Sequence, residues 1–269
     1  MSDLKKTDGL IDINEVVSVK FGKKLPAFLI KLLAKFIHQD YLNSVISSWD
    51  RKEDFCTHAV REFNMTIDVE GLENVPADGT LYTFASNHPL GGADGIALAS
   101  IINKHFGKVG MLANDFLLFL KPIAEMAVPV NKTGGQVRNL PALVDTVFKS
   151  DRQILIFPAG MCSRKIDGRV QDLPWTKTFI NKSISSQRMV VPVHFYGQNS
   201  RRFYTIARLR KLLGIKFNVE MIFLPDELYK ARNSHFTVKF GTPVPYAHFD
   251  KSKTAVQWAA WMRDKSYEL

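Results

Sequence analysis

Between Leu81 and Leu224 the chain repeats one arrangement, a short apolar run with little polar alternation followed by a stretch patterned for a helix. A strand with one face in water alternates apolar and polar residues, whereas a strand covered on both faces has no reason to. The runs Leu81–Ser86, Met126–Val130, Gln153–Phe157, Met189–Phe195 and Asn218–Leu224 are therefore expected to be interior strands, with Phe236–Phe240 following them. Asp94–Asn103 and Leu140–Lys149 carry helical patterns and would supply covering layers. This order predicts an α/β fold with a mixed, largely parallel central sheet flanked by helices. Thr66–Glu70 alternates like an edge strand and Glu73–Gly79 is a turn-rich connection, so the main domain is placed at residues 65–269.

Residues 1–64 are expected to form an N-terminal helical region with the means to associate with a membrane. In Lys23–Ile37, Leu25, Phe28, Leu29, Leu32, Leu33 and Phe36 recur at helical spacing, Lys24, Lys31 and Lys35 line the other side, and Pro26 suits a first turn. Charges interrupt the run well short of a membrane span. Two readings stand: the helix lies on an anionic lipid surface, or it packs over the main domain with its basic face in water. A second helical stretch covers Tyr41–Phe63, with a break near Trp49-Asp50-Arg51.

Thirty-six Lys and Arg against 26 Asp and Glu give a net charge of +10, which favours an anionic partner: nucleic acid, a phosphorylated cofactor, an acidic carrier protein or an anionic membrane. No basic–aromatic module or zinc-finger spacing supports nucleic acid, and no glycine fingerprint after a strand supports a nicotinamide cofactor. No compact ligand cluster points to a metal, and Cys56 and Cys162 lie too far apart to suggest a disulfide scaffold or a cysteine zinc site. The first six residues lead into charge rather than an apolar core, so no secretory signal is apparent and a cytoplasmic chain is expected.

The stretch richest in chemistry is Phe84-Ala85-Ser86-Asn87-His88-Pro89-Leu90-Gly91-Gly92-Ala93-Asp94-Gly95. An apolar strand ends in Asn-His, and a glycine-rich turn leads to an Asp at the start of a helix. Loops at strand ends are common sites because a rigid sheet holds otherwise mobile polar groups. If the turn folds Asp94 back, its carboxylate can hold one imidazole nitrogen of His88 and leave the other facing a substrate hydroxyl. A plainer account also covers these residues: Asp94 as a helix N-cap, glycines shaping the turn, and His88 bonded to backbone.

Phe157-Pro158-Ala159-Gly160-Met161-Cys162-Ser163-Arg164-Lys165 repeats the design with two cations. Gly160 allows close backbone approach, and nearby N–H groups could meet an anion or a developing oxyanion. Arg164 could bind a carboxylate or phosphate bidentately and Lys165 as a point charge, unless both simply sit in water. Ala127-Val128-Pro129-Val130 runs into Asn131-Lys132-Thr133-Gly134-Gly135 with Arg138 beyond. Val191-Pro192-Val193 resembles a closing core strand, and His194 is expected to be buried and structural. Met111–Ala113 and Phe116–Leu120 could wall an acyl groove or merely pack.

Together these motifs resemble the lysophospholipid and glycerolipid acyltransferase superfamily (PlsC-like) across about residues 65–245. Asn87-His88 through Asp94, Phe157-Pro158-Ala159-Gly160 with Ser163, and Val191-Pro192-Val193 stand in the family's order, with the Lys132 region where a second substrate-binding motif falls. Two departures stand out: five residues rather than four separate His88 from Asp94, and Ala159 stands where the family has glutamate. The combination is similar to a bacterial, haemolysin-like branch that includes O-acyltransferases for lyso-aminolipids such as ornithine or glycine lipids.

The resemblance implies transfer of a fatty acyl chain from an acyl thioester, carried on acyl carrier protein (acyl-ACP) or coenzyme A (acyl-CoA), to a lysolipid hydroxyl, with no tightly bound cofactor and no metal. His88 and Asp94 are the expected catalytic pair. Asn87, Lys132, Arg138, Phe157, Pro158, Gly160, Ser163, Arg164 and Lys165 are the expected substrate contacts. The basic, acid-free run Arg201–Leu213 and residues 23–37 are expected to dock peripherally on an anionic membrane, on its cytoplasmic side. Two rivals remain: a lipid esterase or thioesterase, for which Cys162 is a conceivable nucleophile, and a nonenzymatic anionic-lipid-binding protein.

Overall fold

In β2 (Tyr82–Ser86) all five residues are buried, yet successive side chains enter different cores. Phe84 joins a cluster with Leu98, Ile102, Phe195 and Phe240, whereas Ala85 joins Ile156, Phe179, Trp258 and Met262. A pleated strand sends neighbours to opposite faces, so a run without polar alternation requires cover on both sides. The computed structural model describes residues 10–21, 25–113, 121–124, 127–129, 140–216 and 218–269.

Among the described residues four helices precede the sheet: α1 (Ile13–Phe21), α2 (Ala27–Phe36), α3 (Gln39–Ser48) and α4 (Phe55–Glu62). β1 (Thr66–Glu70), β2, α5 (Ala93–Phe106), β3 (Val109–Ala113), α6 (Lys121–Ala124) and β4 (Ala127–Pro129) follow. Then come α7 (Leu140–Phe148), β5 (Gln153–Ile156), the hairpin of β6 (Arg164–Ile166) and β7 (Arg169–Gln171), and α8 (Thr178–Ser185). The chain ends with β8 (Met189–Tyr196), α9 (Arg201–Leu212), α10 (Leu224–Lys230), β9 (His235–Phe240) and α11 (Ala255–Tyr267).

Among the described residues seven strands form one sheet in the order β1-β9-β8-β2-β5-β3-β4. Every pairing in it is parallel except that of β8 with β9. The sheet is therefore mixed and largely parallel, as expected, and β2, β5 and β8 end on the same edge. Helices α1 and α3–α5 bury Val17, Val45, Phe55, Ala59 and Ile102 in the core cluster that holds Phe84 and Val191. α8 and α11 cover the opposite face with Phe179, Ile180, Trp258 and Met262.

The break expected near Trp49-Asp50-Arg51 separates α3 from α4, and Asp54 caps α4 through the backbone N–H of Thr57. Pro26 sits one residue earlier than expected, at the N-cap of α2. Ile30, Leu33 and Phe36 of this helix, with Leu25 just before it, pack against the core as the second reading expects, while Phe28 and Leu32 are 68% and 62% exposed.

Asn218–Leu224 is not the strand that its apolar run predicts. The run forms a 3₁₀ turn, Val219–Phe223, that leads into α10. Glu220 is fully buried between two arginines, and Pro225 in the first turn of α10 starts a helix instead of continuing a ladder. The strands missed from sequence are β6 and β7, where Arg164-Lys165 was expected in a turn, and β3, whose Met111–Ala113 was expected as an acyl-groove wall or packing surface; Met111 lies in the core.

Arg188 just before β8 is completely buried, with backbone carbonyls as its hydrogen-bond partners. Its guanidinium donates to the carbonyls of Phe148, Ser150, Arg152 and Tyr82, joining the end of α7 to the starts of β2 and β5. Burial lowers its pKa to about 10, so it stays charged at neutral pH. Arg188→Met would strand those carbonyls in a dry core, and a urea titration is expected to show a loss of about 3–5 kcal/mol.

Candidate active site

The site starts where β2 ends. Asn87 is buried, and its side-chain amide acts as an extra rung of the ladder, donating to Phe195 O (2.9 Å) and accepting from Phe195 N (2.7 Å). An amide carries a donor and an acceptor side by side, as the peptide of a neighbouring strand does. The next residue, His88, is thereby fixed relative to both β2 and β8.

His88 Nδ1 lies 3.0 Å from Asp94 Oδ2. The same oxygen accepts from the backbone N–H groups of Leu90 (2.9 Å) and Gly91 (3.3 Å), and Oδ1 accepts from that of Gly95 (2.9 Å). Gly91 absorbs the longer spacing with φ 75°, in the left-handed region that favours glycine. A Cβ there would stand 2.9 Å from Leu224 Cδ2 and 3.1 Å from Cys162 Cβ. The N-cap of α5 is Gly92, so Asp94 binds the turn from inside the helix rather than capping it.

Asp94 is completely buried. Burial alone would push its carboxyl up, but the His88 ring and the Leu90 and Gly95 amides outweigh burial and hold it below the ordinary aspartate value. An ionised carboxylate only accepts, so the imidazole proton sits on Nδ1 and the lone pair on Nε2. The ring stacks on Phe157, with centroids 3.9 Å apart and planes 22° from parallel. The side chain of His88 is 16% exposed.

Phe157 opens the second turn, where Gly160 at φ 68° donates its N–H to Phe157 O and Pro158 O accepts from the backbone N–H and hydroxyl of Thr176. Ala159 is buried beside Trp175 and Phe179 in the second core. Ser163 N donates to His88 O at 2.7 Å, locking the two turns together. Ser163 Oγ donates to Asp172 Oδ1 (2.6 Å), and that oxygen also accepts from His88 N (3.2 Å).

The two cations of this turn differ. Arg164 Nη2 donates to Glu220 Oε1 at 2.9 Å, and Nη1 donates to Cys162 O at 2.7 Å. Glu220 also pairs with Arg210 of α9 at 2.8 Å. Lys165 points into solvent from β6. Lys132, Arg138 and the run Phe116–Leu120 lie outside the described residues. His194 packs between the rings of Tyr196 and Tyr267, and burial lowers its pKa.

Thus Asn87, His88, Asp94, Phe157 and Ser163 come together at one sheet edge, with Pro158 and Gly160 shaping the turn beside them. Sequence reasoning missed Asp172, Trp175, Tyr267 and Glu220. Asp172 is 84 residues from His88 in a stretch without motif character, and only the folded hairpin reveals it.

Residues 14–269 match the family described as “Acyltransferase”. The chain belongs to this acyltransferase family. It is 46% identical over 266 residues to the lyso-glycine lipid O-acyltransferase of Bacteroides thetaiotaomicron, covering 97% of each chain. It is 45% identical to the enzyme of the same name from Phocaeicola vulgatus, over 97% of this chain and 95% of that one. The crystal structure of the 1-acyl-sn-glycerophosphate (LPA) acyltransferase PlsC from Thermotoga maritima aligns with a TM-score of 0.46 and 17% identity, covering 95% of this chain and 96% of that one.

Cys162, conceivable as a nucleophile from sequence, is buried against Phe203, Tyr204 and Leu224. Burial pushes its thiol up to about 11, so it is protonated at neutral pH and a poor nucleophile. Cys162→Ala is expected to retain acyl transfer, and iodoacetamide at pH 8 to leave Cys162 of the folded protein unlabelled by mass spectrometry.

Proposed function

We propose that this acyltransferase moves a fatty acyl chain from a thioester to the free hydroxyl of a lyso-glycine lipid, with His88 as general base. The contact between a buried, ionised Asp94 and His88 Nδ1 carries this reading, because it occupies one ring nitrogen and leaves Nε2 for a substrate on a side chain that is 16% exposed. Nε2 takes the hydroxyl proton as the oxygen attacks the thioester carbonyl. Asp94 steadies the resulting imidazolium. The tetrahedral intermediate collapses by breaking the C–S bond, and the thiolate leaves with the proton from His88. The products are an ester and a free thiol.

The two relatives support the acceptor, since both carry lyso-glycine lipid in their names. The donor is an acyl thioester on acyl carrier protein or coenzyme A. With Arg164 held by Glu220, exposed Lys165 is the better contact for an anionic headgroup, alongside Lys132 and Arg138.

The surface supports peripheral membrane attachment. No helix among the described residues is long and apolar enough to cross a membrane. α2 exposes Phe28 and Leu32, while α9 exposes Leu209, Leu212 and Leu213 among Arg201, Arg202, Arg208 and Lys211. The Arg202 guanidinium lies over the rings of Phe36 and Phe223, tying α2 to α9. The turn holding Phe223 also supplies Glu220 to Arg164. Apolar side chains surrounded by cations suit insertion at an anionic lipid interface, bringing the acceptor close to His88.

In a transfer assay crossing both donors with lyso-glycine lipid and lysophospholipid acceptors, labelled acyl chain is expected in the glycine lipid. Release of free fatty acid instead would identify a hydrolase. His88→Ala should lower turnover by roughly 10²–10⁴-fold while the fold persists by circular dichroism. Neutralising Arg201, Arg208 and Lys211 together with Lys31 and Lys35 should weaken sedimentation with phosphatidylglycerol vesicles. Undiminished binding would count against this surface.

A further inference from the structure

We infer that Asp172 is a positioning residue for His88, clamping the His88 peptide and the Ser163 turn in one register. This inference rests on the reading of His88 as the general base. Asp172 follows the β6–β7 hairpin and is 2% exposed. Its Oδ1 accepts from His88 N at 3.2 Å and from Ser163 Oγ at 2.6 Å. Its Oδ2 accepts from Trp175 Nε1 at 2.9 Å. Since Ser163 N donates to His88 O, the backbone of His88 is held through both its N–H and its C=O.

Asp94 and Phe157 orient the imidazole ring, but neither fixes the depth at which the His88 backbone sits. Asp172 does so by accepting from the His88 backbone N–H. Burial raises its carboxyl pKa, opposed by the donors Ser163, Trp175 and the His88 amide. A carboxylate in this position is costly without a function for its acceptor capacity, and here three donors use it.

The surrounding segment has independent anchors. Asp172 N donates to Tyr267 OH at 2.8 Å, and Asp172 O accepts from Arg263 at 3.1 Å. Thr176 binds Pro158 O through both its N–H and its hydroxyl. An asparagine at position 172 keeps the size and these backbone contacts. However, its NH₂ group meets either the Trp175 Nε1–H, whose repulsion pushes the side chain away from its seat under His88, or the His88 N–H itself. The local fold should survive while the clamp on His88 loosens. A base displaced by about 1 Å loses on the order of 10²-fold in rate without losing substrate affinity.

The test compares wild type, Asp172→Asn, Ser163→Ala and His88→Ala, measuring kcat and KM for donor and acceptor, melting midpoint, and the ¹⁵N NMR spectrum of the histidine side chains. For Asp172→Asn, kcat should fall roughly 10–100-fold with each KM within about two-fold of wild type. The His88 ring resonance should shift or broaden while the protein remains folded. Unchanged kcat, or a KM increase at unchanged kcat, overturns the inference. Should Asp172→Asn fail to fold, Ser163→Ala decides the question. It removes one donor but retains the Asp172–His88 contact, so several-fold lower kcat at constant KM supports the clamp and wild-type kcat overturns it. Full activity in His88→Ala refutes the base assignment and the positioning with it. An inactive His88→Ala beside a fully active Asp172→Asn refutes the positioning alone.

Discussion

A carboxylate sealed from water at the start of a helix is unfavourable unless donors replace the lost hydration, and the site is organised around meeting that demand for Asp94. Three backbone N–H groups and one imidazole nitrogen supply the donors. To deliver them, the chain from Leu90 to Gly95 must wrap around the carboxylate, and this wrapping draws His88 into place. The same contacts thus keep the acid ionised, shape the turn and select the imidazole tautomer. A turn one residue longer than the family's usual spacing still meets the demand, because Gly91 takes up the difference with a left-handed backbone.

Much of the architecture was legible because burial on both faces leaves a trace in composition. β2, β5 and β8 announced themselves as mostly apolar runs with little polar alternation, and Thr66–Glu70 as an alternating edge. The same criterion misread Asn218–Leu224, where apolar residues face a core from a 3₁₀ turn and Glu220 is buried as an ion-pair partner. A buried charge matched across the fold carries no local signature. β3 went unseen because Val109–Ala113 is short and contains a glycine, so its Met111–Ala113 read as groove wall or packing.

At the site, the residues visible in advance were those whose motif lies within one turn: Asn87, His88, Asp94 and the Phe157–Ser163 stretch. Asp172, Trp175 and Tyr267 could not be seen, since their importance depends on a hairpin and a C-terminal helix folding back onto that turn. Arg164 was visible, but its partner was not. A cation that reads from sequence as a ligand contact is engaged with Glu220, and Ala159 sits in a dry core rather than offering a polar group. Motif reading finds the groups that carry chemistry; it does not find the groups that already occupy their hydrogen-bonding capacity.

The pairing of β1 with β9 has a consequence for biosynthesis. Thr66 lies opposite His235, so the first of the described strands to leave the ribosome must wait for the last before it gains a neighbour. The sheet has to assemble from its middle outward, β2 with β5 and β8, while the early helices and β1 remain without their final support. Until β9 arrives, β8 presents an open, strongly apolar edge to other nascent chains, and the antiparallel strand that closes it shelters the sheet from misassembly.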